Sequence, residues 1–155
     1  MNILIPLGGL GQRYKDVGYE SPKPLIKALG KEIIIWLLDS LKTDKFDSVF
    51  IVYNKELSVF GFESFFNDKD IKLFKLSRNT QGPVETCYEF LSLLPQKHQK
   101  EKLLILDGDT FYKFDLLKKV RKLKYSSVIY SDTTLSKPIY SYIKEKNGNL
   151  MDIKE

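Results

Sequence analysis

The sequence predicts an α/β protein, a mostly parallel sheet with helices on both faces that ends in a β-hairpin. Three observations carry this expectation. Apolar runs bounded by turn residues alternate with longer segments of helical spacing, the pattern of a sheet covered on both sides. A glycine-rich turn, Gly8-Gly9-Leu10-Gly11, follows the first apolar run directly, and ligands of such sheets bind beyond the carboxyl ends of strands. Near the end, Asn147-Gly148 sits between two alternating runs, the strongest short signal for a hairpin.

The elements follow in order. "NILIPL" reads as a buried strand and "EIIIWLLDSLK" as a helix with Ile33, Trp36, Leu37 and Leu41 on one face. "SVFIVYN" is a second strand, "LSVFGFESFF" a short helix and "IKLFKL" a third strand. After Pro83, "VETCYEFLSLL" has helical spacing, with the proline suited to its first turn. "KLLILD" is the next strand, "FDLLKKVRKLK" a helix and "SSVIYSD" a further strand, before the hairpin segment "PIYSYIKEKNGNLMDIKE".

Length and composition fit one domain over residues 1–155, with 43% hydrophobic and 29% charged residues. No apolar run approaches the roughly 20 residues that span a bilayer. No basic segment precedes the first strand, and Cys87 is the one cysteine, so the expectation is a cytoplasmic protein with no disulfide framework and no membrane partner. The formal charge is +5. It comes from lysines such as Lys118, Lys119, Lys122 and Lys124, spaced as a solvated helix face. No nucleic-acid partner is expected from so scattered an excess.

Glycines let a backbone turn sharply and bring its N–H groups up to phosphate oxygens or a base edge. The spacing here is neither the dinucleotide G-x-G-x-x-G nor a Walker A loop. Cations follow it. Arg13 offers a forked guanidinium for phosphate oxygens, and Lys23 a compact charge held between Pro22 and Pro24. Two further turns follow strands. In "NTQGPVETCYEF", Thr80, Gln81 and Gly82 precede a helix, where Gln81 can read a base edge or Thr80 or Asn79 can simply cap the helix. In "LLILDGDTFY", Asp107 and Asp109 flank Gly108 at a strand end, a pair suited to a hard cation unless it is only a turn. His98, in "PQKHQK", reads as an exposed loop residue without a role.

Gly8-Gly9-Leu10-Gly11-Gln12-Arg13 followed by Pro22-Lys23-Pro24-Leu25-Ile26 resembles the signature of the nucleotide-sugar pyrophosphorylases, nucleotidyltransferases that join a nucleoside triphosphate to a sugar 1-phosphate or a related phosphorylated alcohol or amine. The resemblance implies a Rossmann-like sheet of the nucleotide-diphospho-sugar transferase type. It implies nucleotide contacts from Leu7, Gly8, Gly9, Gly11, Thr80, Gln81 and Gly82, and catalytic roles for Arg13 and Lys23. It also implies a Mg2+ cofactor on Asp109, with Asp107 as a further or alternate ligand. Two departures stand out. Gln12 replaces the threonine or serine more frequent in the family, and family members are longer, with a second metal-binding aspartate farther on.

The chemistry implied is in-line displacement at the α-phosphorus, with pyrophosphate leaving and no general base required. The loop "YKDVGYES" is similar to members of capsule and lipopolysaccharide pathways, some of them cytidylyltransferases. That leans the nucleotide to CTP over UTP or dTTP. A glycosyltransferase of the related fold stays open, because "DGD" also matches the metal-holding D-x-D pattern, as does a non-catalytic nucleotide-binding fragment. A sheet edge left exposed would also invite a homo-oligomer.

Overall fold

The computed structural model describes residues 1–9, 11–134 and 141–154, without the side chains of Gln12, Arg13 and Lys97. The beginning of the expected hairpin segment, residues 138–140, therefore lies outside the described residues. The chain falls into two compact units, Met1–Val120 and Arg121–Glu155.

In the first unit, β1 (Asn2–Leu7) runs into α1 (Gln12–Lys15), a single-turn 3-10 helix at Lys23–Leu25, and a small antiparallel pair of β2 (Lys27–Ala28) and β3 (Lys31–Glu32). Next come α2 (Ile33–Ser40), β4 (Ser48–Tyr53), α3 (Lys55–Val59) and a 3-10 turn at Phe62–Phe66. After these follow β5 (Ile71–Lys75), α4 (Pro83–Leu93), α5 (Gln96–Gln99), β6 (Leu103–Ile105) and α6 (Leu116–Arg121). Strands β1, β4, β5 and β6 pair in parallel in the order β5-β4-β1-β6. The sheet therefore builds out from β1 toward β5 and then returns to β1's other side, which puts the switch point between β1 and β6.

Side-chain alternation explains why both faces are covered. Ile3, Ile5 and Leu7 of β1 join Val49, Ile51 and Tyr53 of β4 in one core, closed by Ile34 and Leu37 of α2 and Leu116, Leu117 and Val120. Leu4, Phe50 and Val52 point the other way and meet Leu76, Phe90 and Leu94. The Phe90 ring lies 5.0 Å from Phe50 and 5.8 Å from Phe74. Full burial of an aliphatic side chain such as Ile3 or Leu37 contributes about 1.5–3 kcal/mol.

Some expectations change. The buried face of α2 is Ile34 and Leu37, continued by Leu41. Trp36 turns aside and donates its indole N–H to the Ala28 carbonyl at 2.7 Å. The short helix expected at 57–66 is two pieces, divided at Gly61. "SSVIYSD" forms no strand: residues 126–132 carry no ladder, and Val128, Ile129 and Tyr130 are exposed. Their β propensity has no partner strand among the described residues, and propensity without cross-strand packing does not make a sheet. His98 is not an exposed loop residue. It lies in α5 with its side chain 12% exposed, edge-on to Phe50 at 5.7 Å.

The second unit holds an antiparallel hairpin of β7 (Tyr142–Lys146) and β8 (Asn149–Lys154). Asn147 and Gly148 both have positive φ, 54° and 75°, as a tight hairpin turn requires. No described helix is long and apolar enough to cross a membrane.

Candidate active site

The carboxyl ends of β1, β4 and β6 open onto a cleft of about 310 Å3 lined by Leu7, Gly9, Gly11, Lys23, Asn54, Asp107 and Asp109 among others. It lies at the sheet's switch point, where open α/β sheets bind ligands. Six of the residues singled out in the sequence thus meet in one place.

Each wall has a local cause. The segment Pro22–Leu25 turns once, with the Leu25 N–H donating to the Pro22 carbonyl at 2.8 Å, and the buried Leu25 anchors it to the core. Lys23 therefore projects from a stiff turn. Its ammonium pairs with the Asp109 carboxylate and stands 5.1 Å from the Tyr14 ring centroid. Burial draws the Lys23 pKa down, but the Asp109 hydrogen bond and charge, helped by Tyr14, more than offset this and hold it above the ordinary lysine value. Lys23 is therefore a fixed cation at neutral pH.

Asp107 and Asp109 follow β6. Gly108 between them has Leu7 so close that a Cβ there would come within 2.3 Å of the Leu7 Cδ2. That contact seats the carboxylate turn against β1. Phe111, edge-on to Trp36 at 5.9 Å, ties the same turn to α2. Burial, and then the charges of Asp107 and Asp109, push the Tyr112 hydroxyl pKa up, so it stays protonated beside them.

The donor set fits magnesium. That ion takes one or two carboxylates and completes its shell with water and phosphate oxygens. Asp107 and Asp109 would supply two; the described residues hold no group of three or more His, Cys, Asp or Glu side chains arranged for a metal.

Gly8 lies away from the cleft lining. An added Cβ would meet the Thr86 Oγ1 at 2.1 Å and the Thr80 Oγ1 at 2.6 Å. The loop thus rests on the turn before α4, where the two threonine hydroxyls share a 2.6 Å hydrogen bond. Neither Thr80 nor Asn79 caps α4; Gly82 occupies the N-cap without a side-chain cap. The exposed Gln81 donates its backbone N–H to Glu85 at 2.5 Å, so that N–H is already used within the turn. Glu85 also binds Arg78 at 2.7 Å, and Arg78 pairs with Glu89 as well. The Gln81 hydrogen bond, then Arg78, hold the Glu85 pKa below the usual carboxylate value. A depressed carboxylate keeps its tie above the ordinary range and loses it as pH falls through its lowered value. We therefore expect Glu85→Ala to speed tryptic cleavage after Arg78 at pH 7.5, read by mass spectrometry, with wild-type rates from other surface sites. Unchanged cleavage would remove the tie's significance.

Arg13 lies in α1, and its side chain is outside the described residues. One residue of the site was not singled out in the sequence. Asn54, 2% exposed, donates its side-chain amide to the Gly8 carbonyl at 3.3 Å and the Gly9 carbonyl at 2.9 Å. Its Oδ1 accepts from the Glu56 and Leu57 N–H groups and caps α3. An asparagine after a strand and before a short helix is a visible cap signal; the reach back to the glycine loop is not.

A parallel α/β sheet whose switch point gathers a glycine loop, a fixed lysine and two carboxylates has the design of a protein for phosphorylated ligands. The chain matches the Nucleotidyl transferase family over residues 3–141, and it belongs to that family. It is 27% identical over 121 residues to the D-glycero-alpha-D-manno-heptose 1-phosphate guanylyltransferase of Campylobacter jejuni, covering 76% of this chain and 52% of that one. It is 25% identical over 131 residues to the bifunctional protein GlmU of Methanocaldococcus jannaschii, covering 83% and 29%. The chain thus spans about half of one curated relative and less than a third of the other. Among solved structures, a nucleoside-diphosphate-sugar pyrophosphorylase from Vibrio cholerae superposes with a TM-score of 0.67 at 19% identity, over 99% of this chain and 66% of that one. That likeness is one of fold.

Proposed function

We propose that this chain serves a magnesium-dependent nucleotidyltransferase that moves a nucleoside monophosphate from a triphosphate to a sugar 1-phosphate or a related phosphorylated alcohol or amine. Pyrophosphate is released, and the product is a precursor for surface polysaccharide such as capsule or lipopolysaccharide. The observation that carries this reading is the pairing of Lys23 with Asp109 in a cleft that the glycine loop also lines. In the reaction a phosphate oxygen of the acceptor forms a bond to the α-phosphorus as the α–β bridging bond breaks. The attacking phosphate is already ionised, so the protein's task is positioning and charge neutralisation.

Lys23 exchanges Asp109 for the α-phosphate or the incoming phosphate, and Arg13 steadies the departing pyrophosphate. The backbone of Leu7, Gly9 and Gly11, which line the cleft, follows the nucleotide, Gly8 seats that loop on the turn before α4, and Gln81 and Gly82 flank the base. Asp109, with Asp107, would hold magnesium, which supplies charge neutralisation on the phosphate oxygens.

The sequence leans the base to CTP. The Campylobacter relative is by name a guanylyltransferase of a heptose 1-phosphate, so GTP belongs beside CTP in the test. The assay is pyrophosphate release with magnesium, each of CTP, GTP, UTP and dTTP, and hexose or heptose 1-phosphates as acceptors. Release that needs both substrates and disappears in Asp109→Asn is expected. No release from any pair by a folded sample, or sugar-nucleotide breakdown without pyrophosphate chemistry, would contradict the proposal.

A further inference from the structure

The geometry points to Asn54 as the positioning residue of the glycine loop, a role that rests on the functional reading above. Its carboxamide has two N–H donors and two acceptor lone pairs. All four are used: the donors on the carbonyls of Gly8 and Gly9, the acceptor on the N–H groups of Glu56 and Leu57. Donors on one side and carbonyls on the other permit only this orientation of the amide. One buried side chain therefore joins the end of β1, through 45 and 46 residues of separation, to the helix that follows β4. The backbone adds a bond of its own, from the Asn54 N–H to the Leu7 carbonyl at 3.4 Å.

The consequence follows from peptide geometry. In a trans peptide the C=O of one residue and the N–H of the next point in opposite directions. With the Gly8 carbonyl turned toward Asn54, the Gly9 N–H is turned away from it. Gly9 lines the cleft. Gly8 and Gly9 have no side chains of their own to choose among the many conformations open to them. Asn54 makes the choice, so that a backbone donor for a phosphate oxygen is set before the ligand arrives. Preorganisation of this kind lowers the ordering cost of binding.

The two halves of the carboxamide separate by substitution. Asn54→Asp and Asn54→Ser keep an oxygen that caps α3. Asp then sets an acceptor against two carbonyls, and Ser is too short to reach them. Asn54→Ala loses both functions and serves as the reference for simple destabilisation.

The experiment measures binding of magnesium pyrophosphate and of magnesium CTP and GTP by calorimetry. Unfolding midpoints and amide chemical shifts of Gly8, Gly9, Glu56 and Leu57 are recorded without ligand. Both capping variants are expected to bind at least roughly tenfold more weakly, the scale of a lost set of hydrogen bonds. Their Gly8 and Gly9 amides should shift while those of Glu56 and Leu57 stay near wild type. Wild-type affinity in Asn54→Asp and Asn54→Ser overturns the positioning role and leaves the functional reading intact. So does an affinity loss that merely tracks the unfolding midpoint across all three variants. A wild-type chain that binds none of the three probes overturns the functional reading, and the positioning role with it.

Discussion

Lys23→Ala is expected to lower nucleotidyl transfer by about 10²–10³-fold, the usual cost of removing one preorganised donor from developing charge. The fold should barely register the change. Lys23 and Asp109 are each about a third exposed, at 33% and 38%, and a pair so placed contributes roughly 0–1 kcal/mol to stability. Lys23→Arg should restore little. A guanidinium is broader than an ammonium and prefers a forked partner, whereas this position offers a point charge from a rigid turn. The pH profile adds a check. The Lys23 pKa is held above the ordinary lysine value, so its protonation is complete at neutral pH and is lost only as pH rises through that raised value. Activity should therefore show no lysine-dependent decline between pH 7 and 9. A large fall in the unfolding midpoint of Lys23→Ala, with transfer unaffected, would make the residue structural.

Gly8→Ala is expected to cost about 1–3 kcal/mol, the range for forcing extra volume into a packed site. The new methyl would come within 2.1 Å of the Thr86 Oγ1, and Thr86 is fully buried. That hydroxyl has no freedom to swing away, because it is tied to the Gly82 carbonyl at 3.0 Å and to the Thr80 hydroxyl. At this chain length each kcal/mol lowers the midpoint by roughly 2–4 °C. Relief can come only by lifting the loop off the turn before α4, which would also weaken nucleotide binding. Thr86→Ala in the same chain removes the clashing oxygen and should recover part of the loss, a non-additivity that reports the contact directly. An unaltered melting curve for Gly8→Ala would contradict the packing.

The four strands of the parallel sheet and α4 are legible in the sequence because each has a local signal. The runs of β1 and β4 are apolar on both faces, and Pro83 sets the first turn of α4. The cleft residues Gly9, Lys23, Asp107 and Asp109 are legible for a related reason, since each lies in a turn whose composition departs from an ordinary loop. Asn54 is not, because its hold on Gly8 and Gly9 spans most of a β-α-β passage and no local pattern encodes it. His98 misleads in the opposite sense. Its neighbours are polar, yet its ring packs against Phe50. Residues 126–132 have the β-branched and aromatic content of a strand, yet no strand among the described residues pairs with them. Trp36 has helical spacing with the core face but spends its N–H on the Ala28 carbonyl. For Asn54, His98 and residues 126–132 a long-range contact, or its absence among the described residues, decided what composition alone left open.

The proposed function puts a magnesium-bound nucleoside triphosphate in the cleft beyond β1 and β6. The most direct measurement is the unfolding midpoint of the chain with CTP, GTP, UTP, dTTP and ATP in turn, with and without magnesium, for wild type and Lys23→Ala. A ligand at a hundredfold its dissociation constant stabilises by about 2.7 kcal/mol. Such a shift is expected with at least one nucleotide, dependent on magnesium and lost in Lys23→Ala. A cooperatively folding chain that no triphosphate stabilises would contradict it.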